Sequence, residues 1–193
     1  MNMMTNNTYN IMAIIGPSGC GKDKLLKTLL NEYPEKFHKI INHTTRPKRE
    51  YETDGVDYHF ISAQEFAEKV LNFDMLEATS FNDWFYGTAA SSLSTEKTNI
   101  GIFNPDAILA LLESNVNVVI FRLDATDKTR LLRQLNREEN PDINEIIRRF
   151  QADKLDFDGI EEEFPHLTLV NETLDDLANN VEFLSRFPSL WAN

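Results

Sequence analysis

Apolar residues in this chain fall into two patterns. Short runs with little polar interruption, Ile11 to Ile15, Asn99 to Phe103 and Val116 to Leu123, read as buried strands, because a strand covered on both faces loses its polar alternation, and His166 to Val170 reads as a last strand. His38 to His43 reads as another strand. Between these runs the pattern changes to helical. A helix is predicted from Lys22 to Glu32, where Pro34 stops it, and another starts at Pro105, a residue suited to the first helical turn. Thr126 should cap a helix from Asp127 to about Glu138, and Ile143, Ile146, Ile147 and Phe150 give helical spacing after Pro141. Thr173 opens a last helix with Leu174, Leu177, Val181 and Leu184 on one face. Strands alternating with helices predict an α/β fold, a parallel sheet covered on both faces.

The stretch from Thr44 to Thr88 interrupts that alternation. It holds polar loop residues, a strand of an antiparallel insert at Tyr58 to Ile61, and extended pieces at Met75 to Thr79 and Trp84 to Thr88. Ser62-Ala63-Gln64-Glu65 has capping-box spacing and opens a helix to about Leu71. A short polar helix is expected near Ala89 to Glu96, and Met1 to Asn10 reads as a frayed tail.

Composition narrows the function classes. With 193 residues, 41% apolar and 26% charged, the chain has room for one domain with one sizeable core. Its net charge of −12 speaks against nucleic acid or an anionic membrane as partner. The single cysteine, Cys20, excludes an internal disulfide and an all-cysteine metal site, sets zinc aside and suits a reducing cytoplasm. No targeting signal is expected, since the first ten residues lack Lys and Arg and Ile11 to Ile15 is too short for a signal core or a membrane span.

The strongest local signal is Gly16-Pro17-Ser18-Gly19-Cys20-Gly21-Lys22-Asp23, a glycine-rich turn between a predicted strand and a predicted helix. It fits the phosphate-cradling pattern G-x-x-x-x-G-K, in which backbone N–H groups surround phosphate oxygens and Lys22 adds a point charge. Asp23 stands where a Ser or Thr usually holds Mg²⁺, and it has two readings. Its carboxylate either complements the helix dipole or ligates the ion directly. Cys20 reads as a small loop residue rather than a nucleophile.

On the acceptor side, His43-Thr44-Thr45-Arg46-Pro47-Lys48-Arg49-Glu50 and Asp54-Gly55-Val56-Asp57-Tyr58-His59-Phe60 bring two guanidinium forks and a phenol together, a set that can hold a phosphate monoester. Glu77 and Phe85-Tyr86-Gly87-Thr88 add a carboxylate, a phenol and a hydroxyl. Together these stretches make the chain resemble a guanylate kinase from Ile11 through the C-terminal helix. The resemblance implies a P-loop kinase fold: a parallel five-stranded core sheet flanked by helices, a small mixed GMP-binding insert and a helical lid. It divides the chain into a core (11–43, 97–126 and 158–193), an acceptor-binding insert (44–96) and a lid (127–157). It also implies that Arg46, Arg49, Tyr58 and Tyr86 grip the GMP phosphate while Glu77 and Thr88 face guanine, whose N1–H and N2 amino group are donors.

Besides Asp23, two places depart from the family pattern. Asn42 replaces a base-contacting Ser, and Ile102-Phe103-Asn104 replaces D-I-D. Asn104 has two readings, a base contact or the N-cap of the Pro105 helix. The Gly-Lys-Asp ending and Asn104 also resemble the ribose 1,5-bisphosphate phosphokinases, the alternative acceptor reading. A third reading is a non-catalytic guanylate-kinase-like binding domain.

Five of the nine arginines lie between Arg130 and Arg149. By resemblance to the family's lid, Arg133, Arg137 and Arg149 face the transferred phosphoryl group, whereas Arg130 and Arg148 read as surface residues. Asn171 matches a position near adenine. The expected reaction is Mg²⁺-dependent phosphoryl transfer from ATP to GMP in the cytoplasm. Small molecules are the partners, with no nucleic acid, no membrane and no oligomeric state assigned.

Overall fold

The computed structural model describes residues 9–50, 52–81, 83–114, 116–137 and 139–190. In chain order the elements are β1 (Asn10–Ile15), α1 (Lys22–Glu32), β2 (Phe37–Lys39), β3 (His43–Thr44), β4 (His59–Phe60), α2 (Ala63–Leu71), β5 (Met75–Phe81) and β6 (Trp84–Ala89). There follow β7 (Thr98–Ile102), α3 (Pro105–Glu113), β8 (Asn117–Asp124), α4 (Asp127–Leu135), α5 (Ile143–Asp156), α6 (Ile160–Glu163), β9 (Leu167–Val170) and α7 (Leu174–Arg186).

A five-stranded sheet runs in the order β2-β7-β1-β8-β9 with every pair parallel. β1 lies at its centre, and its side chains alternate between two layers as strand geometry requires. Met12 and Ile14 pack with Leu25 and Leu29 of α1 and Val181 and Leu184 of α7. Ile11, Ala13 and Ile15 face the other way, toward Ile108 and Leu111 of α3, Ile160 and Phe164. The strand's loss of polar alternation thus has a direct cause, two apolar helix layers. A second, four-stranded sheet in the order β4-β3-β6-β5 is mixed, with β3–β4 parallel and its other pairs antiparallel.

Local capping follows the sequence. Ser62 and Glu65 form the expected capping box, Thr173 forms one with Asp176, and Thr126 accepts from the amide of Thr129. Of the tail expected over Met1 to Asn10, residues 1–8 lie outside the described residues, while Asn10 opens β1. Glu138, the expected end of α4, also lies outside them, and α4 closes at Leu135.

Three expectations need correction. The strand expected in an antiparallel insert at Tyr58 to Ile61 is β4, which pairs in parallel with β3 because the loop between them carries the chain back to the same end of the sheet. The strand expected over His38 to His43 is split: the chain leaves the core sheet after Lys39, with Ile40 donating once more to Ile100, and His43–Thr44 pairs with β4 and β6 instead. The polar helix expected near Ala89 to Glu96 is a single 3-10 turn at Ala90–Ser92. There Asn99 accepts from the amide of Ser94 and donates to its carbonyl, holding the chain in a turn. Among the described residues no helix is long and apolar enough to cross a membrane.

Candidate active site

The glycine-rich turn leaves the end of β1 and enters α1 as expected. Gly19 and Gly21 have φ of +83° and +101°, a region L side chains rarely adopt. A Cβ on Gly19 would lie 2.5 Å from the Arg130 carbonyl oxygen, and one on Gly21 would lie 2.5 Å from Asn171 Nδ2. The turn's carbonyls are held from outside: Arg130 Nε donates to Ser18 O (3.0 Å), Arg133 to Gly19 and Cys20 O (3.3 and 3.2 Å), and Asn171 Nδ2 to Cys20 O (2.7 Å). Lys22 Nζ folds back on Gly16 O and Pro17 O (2.6 and 3.1 Å). Cys20 is buried, and burial pushes its thiol pKa up, which disfavours a thiolate nucleophile.

Two cavities meet at Asp23 and Arg137. One, of about 600 Å³, is lined by the turn together with Arg133, Arg149, Asn171 and Leu174. The other, of about 640 Å³, is lined by Arg46, Arg49, Glu52, Tyr58 and Tyr86. Asp23 and Arg137 line both. An exposed carboxylate between two arginine-lined chambers is chemically suited to Mg²⁺, which takes one or two carboxylates and fills its shell with phosphate oxygens and water.

In the second cavity Arg46 makes a forked pair with buried Glu52 (2.7 and 3.0 Å), and Glu52 also accepts from the amide of Arg49 (2.8 Å). Burial pushes the Glu52 carboxyl upward, but Arg46 and the Arg49 amide outweigh it and hold it below the usual range. The Arg46 guanidinium lies 5.6 Å from the ring centres of Tyr58 and Phe60. Glu52 is a residue that sequence reasoning missed. A lone Glu in a charged loop carries no signal until the loop folds back on itself.

A third cavity, of about 350 Å³, joins Lys22 to Asn42, Glu77, Thr79 and Asn104. Glu77 and Thr88 are register partners across β5 and β6, so Thr88 Oγ1 donates to Glu77 Oε1 at 2.7 Å. Glu77 is 5% exposed and its Oε2 has no partner among the described residues. Burial raises its pKa to about 7, with Thr88 offsetting only part. Asn42 Oδ1 lies 2.9 Å from Thr88 Oγ1. Since Thr88 has one proton to donate, an ionised Glu77 requires Asn42 to turn its amide nitrogen to that hydroxyl. Asn104 accepts from the amide of Ala107 (2.8 Å), so it caps α3, and it lines this cavity as well.

The arginines expected in a lid divide unexpectedly. Arg148 is half exposed and pairs with Glu145, as a surface residue does, and Arg149 pairs with Glu145 too. Those two contacts, Arg148 first, draw the Glu145 pKa down to about 2. Arg130 is not a surface residue: it is 5% exposed, wedged between the glycine-rich turn and Asp153. Its helical stripe with Arg133 and Arg137 could not reveal this, because which part of the stripe is covered depends on how α4 seats on the turn.

A sequence model of guanylate kinases matches residues 8–186. The guanylate kinase of Mycoplasma genitalium is 30% identical over 189 residues, covering 94% of this chain and 78% of that protein. The Disks large 1 tumor suppressor protein of Drosophila melanogaster is 48% identical over 81 residues, and the match spans 42% of this chain but only 8% of that protein's length. Among solved structures, guanylate kinase from Anaplasma phagocytophilum superposes with a TM-score of 0.64 over 93% of this chain and 86% of that one; at 17% identity this is a likeness of fold.

Proposed function

The chain belongs to the guanylate kinase family, and from that premise we propose that it transfers a phosphoryl group from ATP to GMP. The observation that carries the proposal is Glu77, a buried carboxylate with one unpartnered oxygen in a cavity that also contains the loop lysine. An ionised carboxylate accepts from both guanine donors, N1–H and the N2 amino group; adenine offers no such pair. Asn42, Thr88 and Asn104 complete the base site in this reading.

Arg46, Arg49, Tyr58 and Tyr86 hold the acceptor phosphate. Glu52 holds Arg46 in its forked orientation and yields it in part to the phosphate. The acceptor oxygen is already largely ionised near pH 7, because the second phosphate pKa is about 6, so no general base is required. The loop amides and Lys22 hold the donor phosphates, and Asn171 closes the adenine end. Asp23 is the residue that would hold Mg²⁺, which when bound neutralises charge on the phosphate oxygens. Arg133, Arg137 and Arg149 stabilise the equatorial oxygens in the transition state and exclude water as the lid closes. Catalysis on this reading is positioning and electrostatics. The same reading takes helices α4 and α5 as the lid, and a reducing cytoplasm as the compartment in which Cys20 stays a free thiol.

A coupled ADP-release assay with GMP, dGMP, AMP, UMP and ribose 1,5-bisphosphate tests the proposal. Turnover with GMP is expected. Turnover confined to ribose 1,5-bisphosphate would assign the alternative acceptor, and folded protein that binds no ATP in calorimetry would assign a binding-only domain.

A further inference from the structure

Asp153 lies on α5, far in sequence from the glycine-rich turn, yet its carboxylate sits on that turn. Ser18 N donates to Oδ2 at 2.8 Å, Ser18 Oγ to Oδ1 at 3.2 Å, and an Arg130 terminal nitrogen to Oδ2 at 2.8 Å. The pair is sequestered, with side-chain exposures of 6% for Arg130 and 13% for Asp153. A main-chain amide of a phosphate-cradling turn, a hydroxyl and a guanidinium fork are what a phosphate oxygen would be given. Here an anionic side chain of the protein has them.

Arg130 does not depend on Asp153 for its place. Its Nε is fixed on Ser18 O at 3.0 Å, another nitrogen pairs with Asp127 at 3.2 Å, and its guanidinium lies 4.7 Å from the ring centre of Phe150. Withdrawal of Asp153 would therefore leave one nitrogen of a fixed fork unpaired and aimed at the turn. Two anions cannot share that position without strong repulsion, so a phosphate arriving at Ser18 displaces the carboxylate; Asp153 and Asp156 both line the third cavity, which Ser18 and Lys22 line as well.

We propose that Asp153 is a built-in stand-in for phosphate, displaced when nucleotide binds, and that Arg130 is thereby handed to the nucleotide as a further phosphate-binding residue. The inference rests on the reading that the turn binds nucleotide phosphates. Because the displaced contact subtracts from the gross binding energy, weakly charged anions are rejected and polyphosphates accepted. Asp153 acts as a competitor that sets anion selectivity, and Arg130 touches substrate once Asp153 leaves.

Isothermal calorimetry with inorganic phosphate, ADP and ATP on the wild-type chain, Asp153→Asn and Asp153→Ala tests this, with thermal unfolding run alongside. Asp153→Ala is expected to bind ATP about tenfold more tightly or better, the scale of one charge-assisted bond, and ADP with a smaller gain. Asp153→Asn, which keeps an acceptor for the Ser18 amide and hence the fold, is expected between the two. In an Arg130→Gln background the gain should vanish. Unchanged or weakened ATP affinity in both Asp153 variants, with a lower Tm, would make the contact a structural tie and overturn the inference alone. A wild-type chain that binds no ATP would overturn the proposed function as well.

Discussion

Glu77 owes its chemistry to the residue opposite it and to what covers it. Its folded pKa, about 7, lies above the ordinary 4.5, so the folded protein binds the extra proton between those values. Stability from this group is therefore lost as pH rises from about 4.5 to 7. Glu77→Gln should be more stable than wild type above pH 7, by at most ~3 kcal/mol, and no more stable below pH 4.5, as denaturant titration at the two pH values would show. The same variant should lose GMP turnover at every pH. In the wild type, KM for GMP should rise as pH falls below 7, since only the ionised form accepts from guanine. At Asp23 the prediction concerns the ion. Asp23→Ser should need more Mg²⁺ for half-maximal turnover, and full activity with an unchanged Mg²⁺ dependence would return Asp23 to a helix-dipole role.

At the scale of elements, the glycine-rich turn is held by β1, by α4, by α5 and by the end of β9. Gly21→Ala would place a methyl group 2.5 Å from the Asn171 amide at a φ of +101°. A cost of about 1–3 kcal/mol is expected, with loss of ATP binding because the loop must open to relieve the contact. Calorimetry and thermal unfolding on one preparation would check both. The turn, its helix and the Ser62 capping box were legible because each is set by neighbours within four residues. The split between β2 and β3 was not legible. His38 to His43 reads as one extended segment in sequence, with no Gly or Pro to mark a break, and only the partner strands, β7 for one half and β4 and β6 for the other, determine where it breaks. Arg130 and Glu52 were missed for a similar reason, since a charged residue on a predicted surface shows its burial only when the element that covers it is in place.

For the molecule as a whole, two buried groups set opposing pH responses. His43 is held neutral, its pKa lowered from 6.5 to about 4 by burial, with His59 and Lys69 adding to the effect. A depressed histidine contributes stability present above 6.5 and lost as pH falls toward 4, the reverse of Glu77 over nearly the same window. The two partly cancel in the wild type, so Glu77→Gln should unmask a stability that rises with pH between about 4 and 6.5, and urea titrations across that range would show it. Charge is also unevenly distributed: Asp153 to Glu182 carries ten acidic residues and one Lys, while five of nine arginines fall between Arg130 and Arg149. A net charge of −12 thus coexists with locally grouped cations around the cavities.

By itself the sequence determined the alternation of strand and helix, the phosphate turn and the grouping of acceptor residues, because periodicity, capping and glycine geometry act over a few neighbouring positions. Tertiary structure alone decided which charges are buried and what they touch. Glu52 on Arg46, Thr88 against Glu77, and Asp153 on Ser18 and Arg130 join residues brought together by packing, and the desolvation that gives them their chemistry does not exist until the chain has folded.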